Sequence, residues 1–179
     1  KSIMNNIECE ITYLAKYLPE NYEKSSSRLI VDIYFPRNRE HPTLRLRQKG
    51  KKYQLTKKQK IKRNDASVHS EVTIDLSKEE FEAIAKGEGK SLSKRRYLYN
   101  YKGVTAEIDL FKESLQGLVL IEFEFKSKEE LEGFEMPDFC LADVTQENFI
   151  AGGILAGKSL QDILVNLNKF NYKEIKVPS

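Results

Sequence analysis

Residues 93–125 read SKRRYLYNYKGVTAEIDLFKESLQGLVLIEFEF, and their alternation decides the fold class. Glu107 and Asp109 are interleaved with Ala106, Ile108 and Leu110, and Glu122 and Glu124 with Ile121, Phe123 and Phe125. In an extended chain successive side chains point to opposite faces, so each run is a strand with one apolar and one charged face. Lys102-Gly103 between two such runs predicts a tight hairpin and hence antiparallel pairing. Working outward, the same alternation marks runs at about 7–14, 28–35, 43–48, 52–59, 68–75, 93–101, 104–112 and 118–125, with another hairpin turn at Lys49-Gly50-Lys51. Helical signals are few. Ser77 and Glu80 form a capping box opening a helix over Ser77–Lys86, Ser127 and Glu130 repeat it before a short helical turn, and a third helix is expected over Ser159–Asn168. Runs of strands with helices set aside predict an α+β fold, a large antiparallel sheet or barrel with peripheral helices.

The chain has 179 residues with 40% hydrophobic and 32% charged side chains, enough apolar material for one domain spanning 1–179 and too much for wholesale disorder. The formal charge of +3 hides a segregation. From Leu44 to Arg63 there are 10 basic residues and no acid; from Val104 to Glu135, 9 acids face 3 lysines. Segments of opposite sign attract each other, face different ligands, or surround something that carries both signs, such as a metal-bound polyanion. Cys9 and Cys140 show no metal-ligand spacing and are too few for a disulfide framework, so a reducing, cytoplasmic compartment is expected. No apolar run is long enough to span a membrane, and KSIMNNIECE lacks a signal-peptide apolar region.

The charged faces carry the chemistry. Glu8/Glu10, Glu107/Asp109 and Glu122/Glu124 are same-face acid pairs, while Arg45/Arg47, Lys94/Arg96 and Lys58 are cations in equivalent settings. An isolated Glu on a strand is an ordinary wet face, but several like charges on neighbouring strands destabilise a sheet. Two carboxylates ~4 Å apart repel by roughly 4 kcal/mol at an effective dielectric near 20, so a cluster calls for a bound cation or adjacent basic side chains. Oxygen donors without Cys or His select hard ions, Mg²⁺ or Mn²⁺ before Zn²⁺. If the sheet closes, acids and cations share one lumen suited to a metal-chelated polyphosphate.

The order Glu8-x-Glu10, Arg45-x-Arg47, Leu55-Thr56-Lys57-Lys58, Lys94-x-Arg96, Glu107-Ile-Asp109-Leu-Phe111 and Leu118-Val-Leu-Ile-Glu122-Phe-Glu124-Phe125 resembles the CYTH superfamily, the triphosphate tunnel metalloenzymes. The resemblance covers nearly the whole chain. It implies an eight-stranded antiparallel tunnel and divalent-metal-dependent hydrolysis of a triphosphate, inorganic triphosphate before nucleoside triphosphate. Position by position it implies Glu8, Glu10, Glu122 and Glu124, with Asp109 and Glu107, as metal ligands to Mg²⁺ or Mn²⁺. It likewise implies Arg45, Arg47, Lys58, Lys94 and Arg96 as phosphate-binding residues, and Glu8, Glu10, Lys58 and Arg96 as the catalytic set. Glu71 is a weaker match to a family acid. Three departures stand out: Thr12 where the family motif ends in lysine, Thr73 where a second acid is common, and Phe149-Ile150 where an Arg-Tyr pair is common. Each lost charge-assisted hydrogen bond weakens polyanion binding by roughly 1.5–3 kcal/mol unless Lys57, Lys60 or Lys16 substitutes.

Two alternatives stay open: ATP cyclisation of the class IV adenylate cyclase type on the same fold, and a non-catalytic polyphosphate- or nucleotide-binding module. The partner that the resemblance implies is a small-molecule triphosphate, and neither a membrane nor a nucleic acid is expected, since Lys49, Lys51 and Lys52 sit at a hairpin tip where solvated lysines are ordinary. A monomer or homodimer is expected. His41 and His69 lack companions at ligand spacing, Cys9 falls on an apolar strand face, and Tyr97, Tyr99 and Tyr101 share one face and read as packing.

Overall fold

Left-handed backbone at two hairpin tips sets which strands lie side by side. Gly50 (φ 61°) turns β3 (Leu44–Lys49) into β4 (Lys52–Lys62), and Lys102 (φ 51°) with Gly103 (φ 86°) turns β6 (Lys90–Tyr101) into β7 (Val104–Phe111). Positive φ at both central residues, as at Lys102-Gly103, is a geometry whose twist matches that of paired strands. A computed structural model describes residues 6–62 and 65–177, without the side chains of Asn6, Ile7, Glu8, Lys60, Ile61, Lys62, Asp65 and His69. The remaining strands are β1 (Asn6–Ala15), β2 (Ser27–Phe35), β5 (Asp65–Leu76), β8 (Val119–Phe125) and β9 (Cys140–Asp143). All pairings are antiparallel in the order β5-β4-β3-β2-β6-β7-β8-β1-β9, and β5 also pairs with β1. That last pairing closes an eight-stranded barrel, as expected, and leaves no open edge among those eight.

Among the described residues the sheet has nine strands, one more than the eight the sequence predicts. One edge of β1 is shared: Asn6–Cys9 pair with β5, while Tyr13–Ala15 pair with β9. Four residues are too short a run for period two to declare itself, and β9 exists because the barrel leaves that part of β1 unpaired. Between the two pairings the edge is completed from the following segment. The Thr12 N–H donates to Thr145 Oγ1 (3.0 Å), the Val144 N–H to the Thr12 carbonyl (2.9 Å), and the Ala66 N–H to Gln146 Oε1 (2.9 Å).

The barrel's apolar outer face forms one core. Ile11, Tyr13, Ile108, Leu110, Ile121 and Phe123 are buried there with Phe139 and Cys140, and Cys9 is buried too. Tyr99 and Tyr101 pack edge-on to Phe139 and Tyr97 to Tyr22, so the tyrosine face is packing, as expected. A second core fills one end of the lumen. Leu14, Tyr34, Leu92, Phe111 and Leu120, on the same strand faces as the charged positions and two or four residues away, meet Val144, Phe149, Leu155, Ile163, Leu167 and Tyr172.

The capping-box helix is α1 (Lys78–Ala85), lying against β3 and β4 with Phe81 on Tyr53 at 4.9 Å between ring centroids. In α2 (Lys128–Glu132) only half a box forms: Ser127 Oγ accepts from the Glu130 N–H, but the Glu130 carboxylate takes the Lys126 N–H instead. α3 (Gly152–Leu155) was not predicted, and α4 (Leu160–Asn168) is the expected third helix, with a Ser159/Asp162 capping box. Among the described residues no helix is long and apolar enough to cross a membrane.

Candidate active site

Barrel register turns the same-face pairs of the sequence into a lumen of opposed charges. Glu10 stands opposite Glu124 and Thr12 opposite Glu122 across β1 and β8, and Glu107 stands opposite Glu122 across β7 and β8. Arg96 faces Asp109, Asp32 faces Arg47, and Lys58 faces Glu71. Like-charged neighbours are thus forced together, and basic side chains resolve the repulsion.

Arg96 is the hub. Its Nε donates to Asp109 Oδ1 (2.6 Å), and its Nη2 to Asp109 Oδ2 (2.6 Å) and Glu122 Oε2 (2.5 Å). Nη1 meets the Glu107 carboxylate, and Lys94 Nζ closes on Asp109 Oδ2. Asp109 is wholly buried, with both oxygens engaged. Lys58 Nζ donates to Glu10 Oε1 (2.9 Å), and Arg47 holds Asp32 through Nε (2.7 Å) and Nη2 (2.8 Å). Arg45 lies a loose 3.9 Å from Glu71, and its buried Nε has no hydrogen-bond partner among the described residues. Burial alone raises the Glu122 carboxyl, but Arg96, Lys94, Lys58 and Arg47 outweigh it and hold the group down at about 2. Burial likewise opposes ionisation of Asp32, and Arg47, then Arg45 and Lys94, overcome it and hold the carboxyl well below the usual range.

These groups surround a cavity of about 240 Å³. Its cations are Arg45, Arg47, Lys58, Lys94 and Arg96, the set read from the sequence. Of the predicted acids, Glu10, Glu122 and Glu124 line it, and so does Glu71. The Glu8 side chain lies outside the described residues, as do those of His69 and Lys60. Asp109 sits beneath Lys94 and Arg96 rather than in the cavity wall, and Glu107 lines a second opening, with Leu98, Thr105 and Lys126, that shares Glu124 with the first. Lys16 and Lys57 are exposed and away from the lining, so among the described residues neither replaces a missing cation. Thr12 instead ties β1 to Thr145, and Phe149 packs at 6.2 Å from the Phe170 ring in the plug.

Several lining residues were not legible beforehand: Asp32 and Tyr34 on β2, Thr43 before β3, and Glu147 and Asn148 beyond β9. His41, set aside on spacing grounds, also lines the cavity. Asp32 had a signal, an acid inside the apolar run Leu29-Ile30-Val31-Asp32-Ile33, two positions from Tyr34 on one face. Residues 145–150 had one in the Phe149-Ile150 departure from the family pattern, whereas Ala151, Gly152 and Gly153 had none, because only the folded chain brings them over the lumen.

The donor set fits a hard divalent ion: Glu10, Glu122 and Glu124 offer oxygen alone, beside the Thr12 hydroxyl. Among the described residues no three such groups already converge at ligand distance, since cations hold the acids. The orphaned Arg45 N–H and the fork-shaped donors around it fit phosphate oxygens.

A closed antiparallel barrel with carboxylates and guanidinium and ammonium groups facing one another across its lumen defines a charged β-tunnel protein. The chain belongs to the CYTH domain family, whose model matches residues 6–147. No curated protein sequence gives a match. Among solved structures, one of NE1496, described as an inorganic triphosphatase, is 25% identical with a TM-score of 0.61, covering 83% of this chain and 97% of that one. Another, described as hypothetical protein NE1496, is 26% identical with a TM-score of 0.62, covering 85% and 99%. A conserved hypothetical protein from Pyrococcus furiosus, 24% identical over 70% of this chain and 82% of that one with a TM-score of 0.51, shares the fold.

Proposed function

We propose that this chain hydrolyses the terminal phosphoanhydride of a triphosphate, inorganic triphosphate before nucleoside triphosphate, with Mg²⁺ or Mn²⁺. The observation that carries the reading is the convergence of Arg45, Arg47, Lys58, Lys94 and Arg96 with Glu10, Glu122 and Glu124 on one lumen. The likeness to a structure described as an inorganic triphosphatase supports it.

In this reading Glu10, Glu122 and Glu124, with Glu8 two residues earlier on β1, hold the metal, which supplies Lewis-acid polarisation of phosphoryl oxygens. The cations bind the equatorial and bridging oxygens and stabilise the charge that gathers there as the bond breaks. Asp109 holds Lys94 and Arg96 in place from beneath. Water attacks the terminal phosphorus in line, the terminal P–O anhydride bond breaks, and the water proton passes to a carboxylate or to solvent, leaving phosphate and pyrophosphate. A cavity of about 240 Å³ lies below the usual ~300–1,000 Å³ of organic-ligand pockets, which favours a compact oligophosphate.

The test is product analysis with inorganic triphosphate, pyrophosphate, ATP and thiamine triphosphate, each with Mg²⁺ or Mn²⁺ and with chelator. Metal-dependent release of phosphate from triphosphate is expected, and Glu122→Gln with Glu124→Gln abolishes it. Turnover that survives the paired change removes those two residues from the metal role, and cyclic nucleotide with pyrophosphate from ATP replaces hydrolysis by cyclisation.

A further inference from the structure

Asp32 is the most deeply buried of the cavity acids that the proposed chemistry leaves without a task. It is 1% exposed, on β2, in a wall where Arg47, Arg45 and Lys94 all act on it. Both its oxygens are taken by one side chain, Nε and Nη2 of Arg47, at 2.7 and 2.8 Å.

A carboxylate in this place works against holding an anion, because it cancels one cation and repels phosphate oxygens. Its contribution is geometric. A bidentate pair fixes the guanidinium plane as a single contact does not, and it occupies the Nε edge, leaving Nη1 as the donor for a lumen ligand. Arg45, two residues earlier on the same strand face, shows the contrast: its Glu71 contact is 3.9 Å and its Nε is unpartnered among the described residues. The two arginines of one motif are therefore held differently, one clamped along its Nε edge by a buried carboxylate and the other with that edge open.

We propose that Asp32 is a positioning residue that locks Arg47 in one orientation toward the triphosphate, giving up binding strength for a fixed contact in the transition state. The inference rests on the triphosphatase reading for its kinetic consequence and on the Asp32–Arg47 geometry alone for the lock.

The experiment compares Asp32→Asn, Arg47→Ala and the double variant in steady-state triphosphate hydrolysis. In Asp32→Asn, kcat is expected to fall by about tenfold or more while KM stays level or drops, since the orienting contact is lost and a repelling charge is removed. The double variant is expected to be no slower than Arg47→Ala alone, because both changes remove the same contact. Asp32→Asn activity within about twofold of the native chain, or losses that multiply in the double variant, overturns the proposal. Should Asp32→Asn not fold, Arg47→Lys tests the lock from its other side: it keeps the charge but not the fork, and the same fall in kcat at little-changed KM is expected. If the native chain releases no phosphate, the triphosphatase reading fails and the lock is read without turnover. The Nε–H signal of Arg47, identified by Arg47→Lys, is then followed by NMR. Protection from exchange that vanishes in Asp32→Asn supports the lock, and an unchanged signal overturns it.

Discussion

At the scale of single residues, the lumen is a set of buried charges, each tolerable because of a particular neighbour. Asp109 is the extreme case, wholly buried between Arg96 and Lys94. Removing one partner of such a group leaves the rest desolvated and uncompensated, which costs far more than the pair contributes. Asp109→Asn is expected to destabilise the fold by about 3 kcal/mol or more in urea unfolding. Asp32 supplies a pH dependence. Its carboxyl is depressed in the folded chain, so the unfolded chain binds its proton at higher pH. The stability it contributes is fully present above about pH 4 and is lost as the pH falls further. Unfolding curves of the native chain and Asp32→Asn should therefore differ most near neutrality and converge toward acid; a difference unchanged from pH 6 to pH 2 would contradict this. The residue types of the site were legible, since every lining cation was named from the sequence. Their partners were not, because alternation gives the face a side chain takes and says nothing about which strand stands opposite.

At the scale of elements, the barrel strands declared themselves through period two and two of the helices through their capping serines, whereas β9 and α3 did not. Both are short and exist through what they touch. α3 begins where Gly152 and Gly153 come so close to the 41–43 loop and β2 that no side chain fits: a Cβ on Gly153 would lie 2.5 Å from the Pro42 carbonyl, and one on Gly152 2.1 Å from Tyr34 Oη. The Tyr34 side chain can yield, but the Pro42 backbone cannot without moving the cavity wall. Gly153→Ala is expected to cost about 1–3 kcal/mol of stability, seen as a lowered Tm, and to raise KM for triphosphate through the displaced His41–Thr43 wall.

At the scale of the whole molecule, acids and cations are closed on each other. A metal reaching Glu10 and Glu122 competes with Lys58 and Arg96, and a polyphosphate reaching those cations competes with the acids. Each ligand frees the other's site, and such coupling is reciprocal. Thermal-shift measurements should show triphosphate and Mg²⁺ together raising Tm by more than the sum of their separate effects; simply additive shifts would remove the coupling. By itself the sequence determined which segments are strands, which face of each is charged, and through the ordered motifs the family and closed barrel to expect. Those properties are local: the period of an extended chain and the chemistry of its side chains fix them. Only the tertiary structure decided that β1 divides one edge between β5 and β9, that residues 144–172 plug one end of the lumen, that Arg96 gathers three carboxylates, and that Asp32 holds Arg47. Those depend on register between strands far apart in the chain, where a shift of one residue would turn every charge from the lumen to the outside.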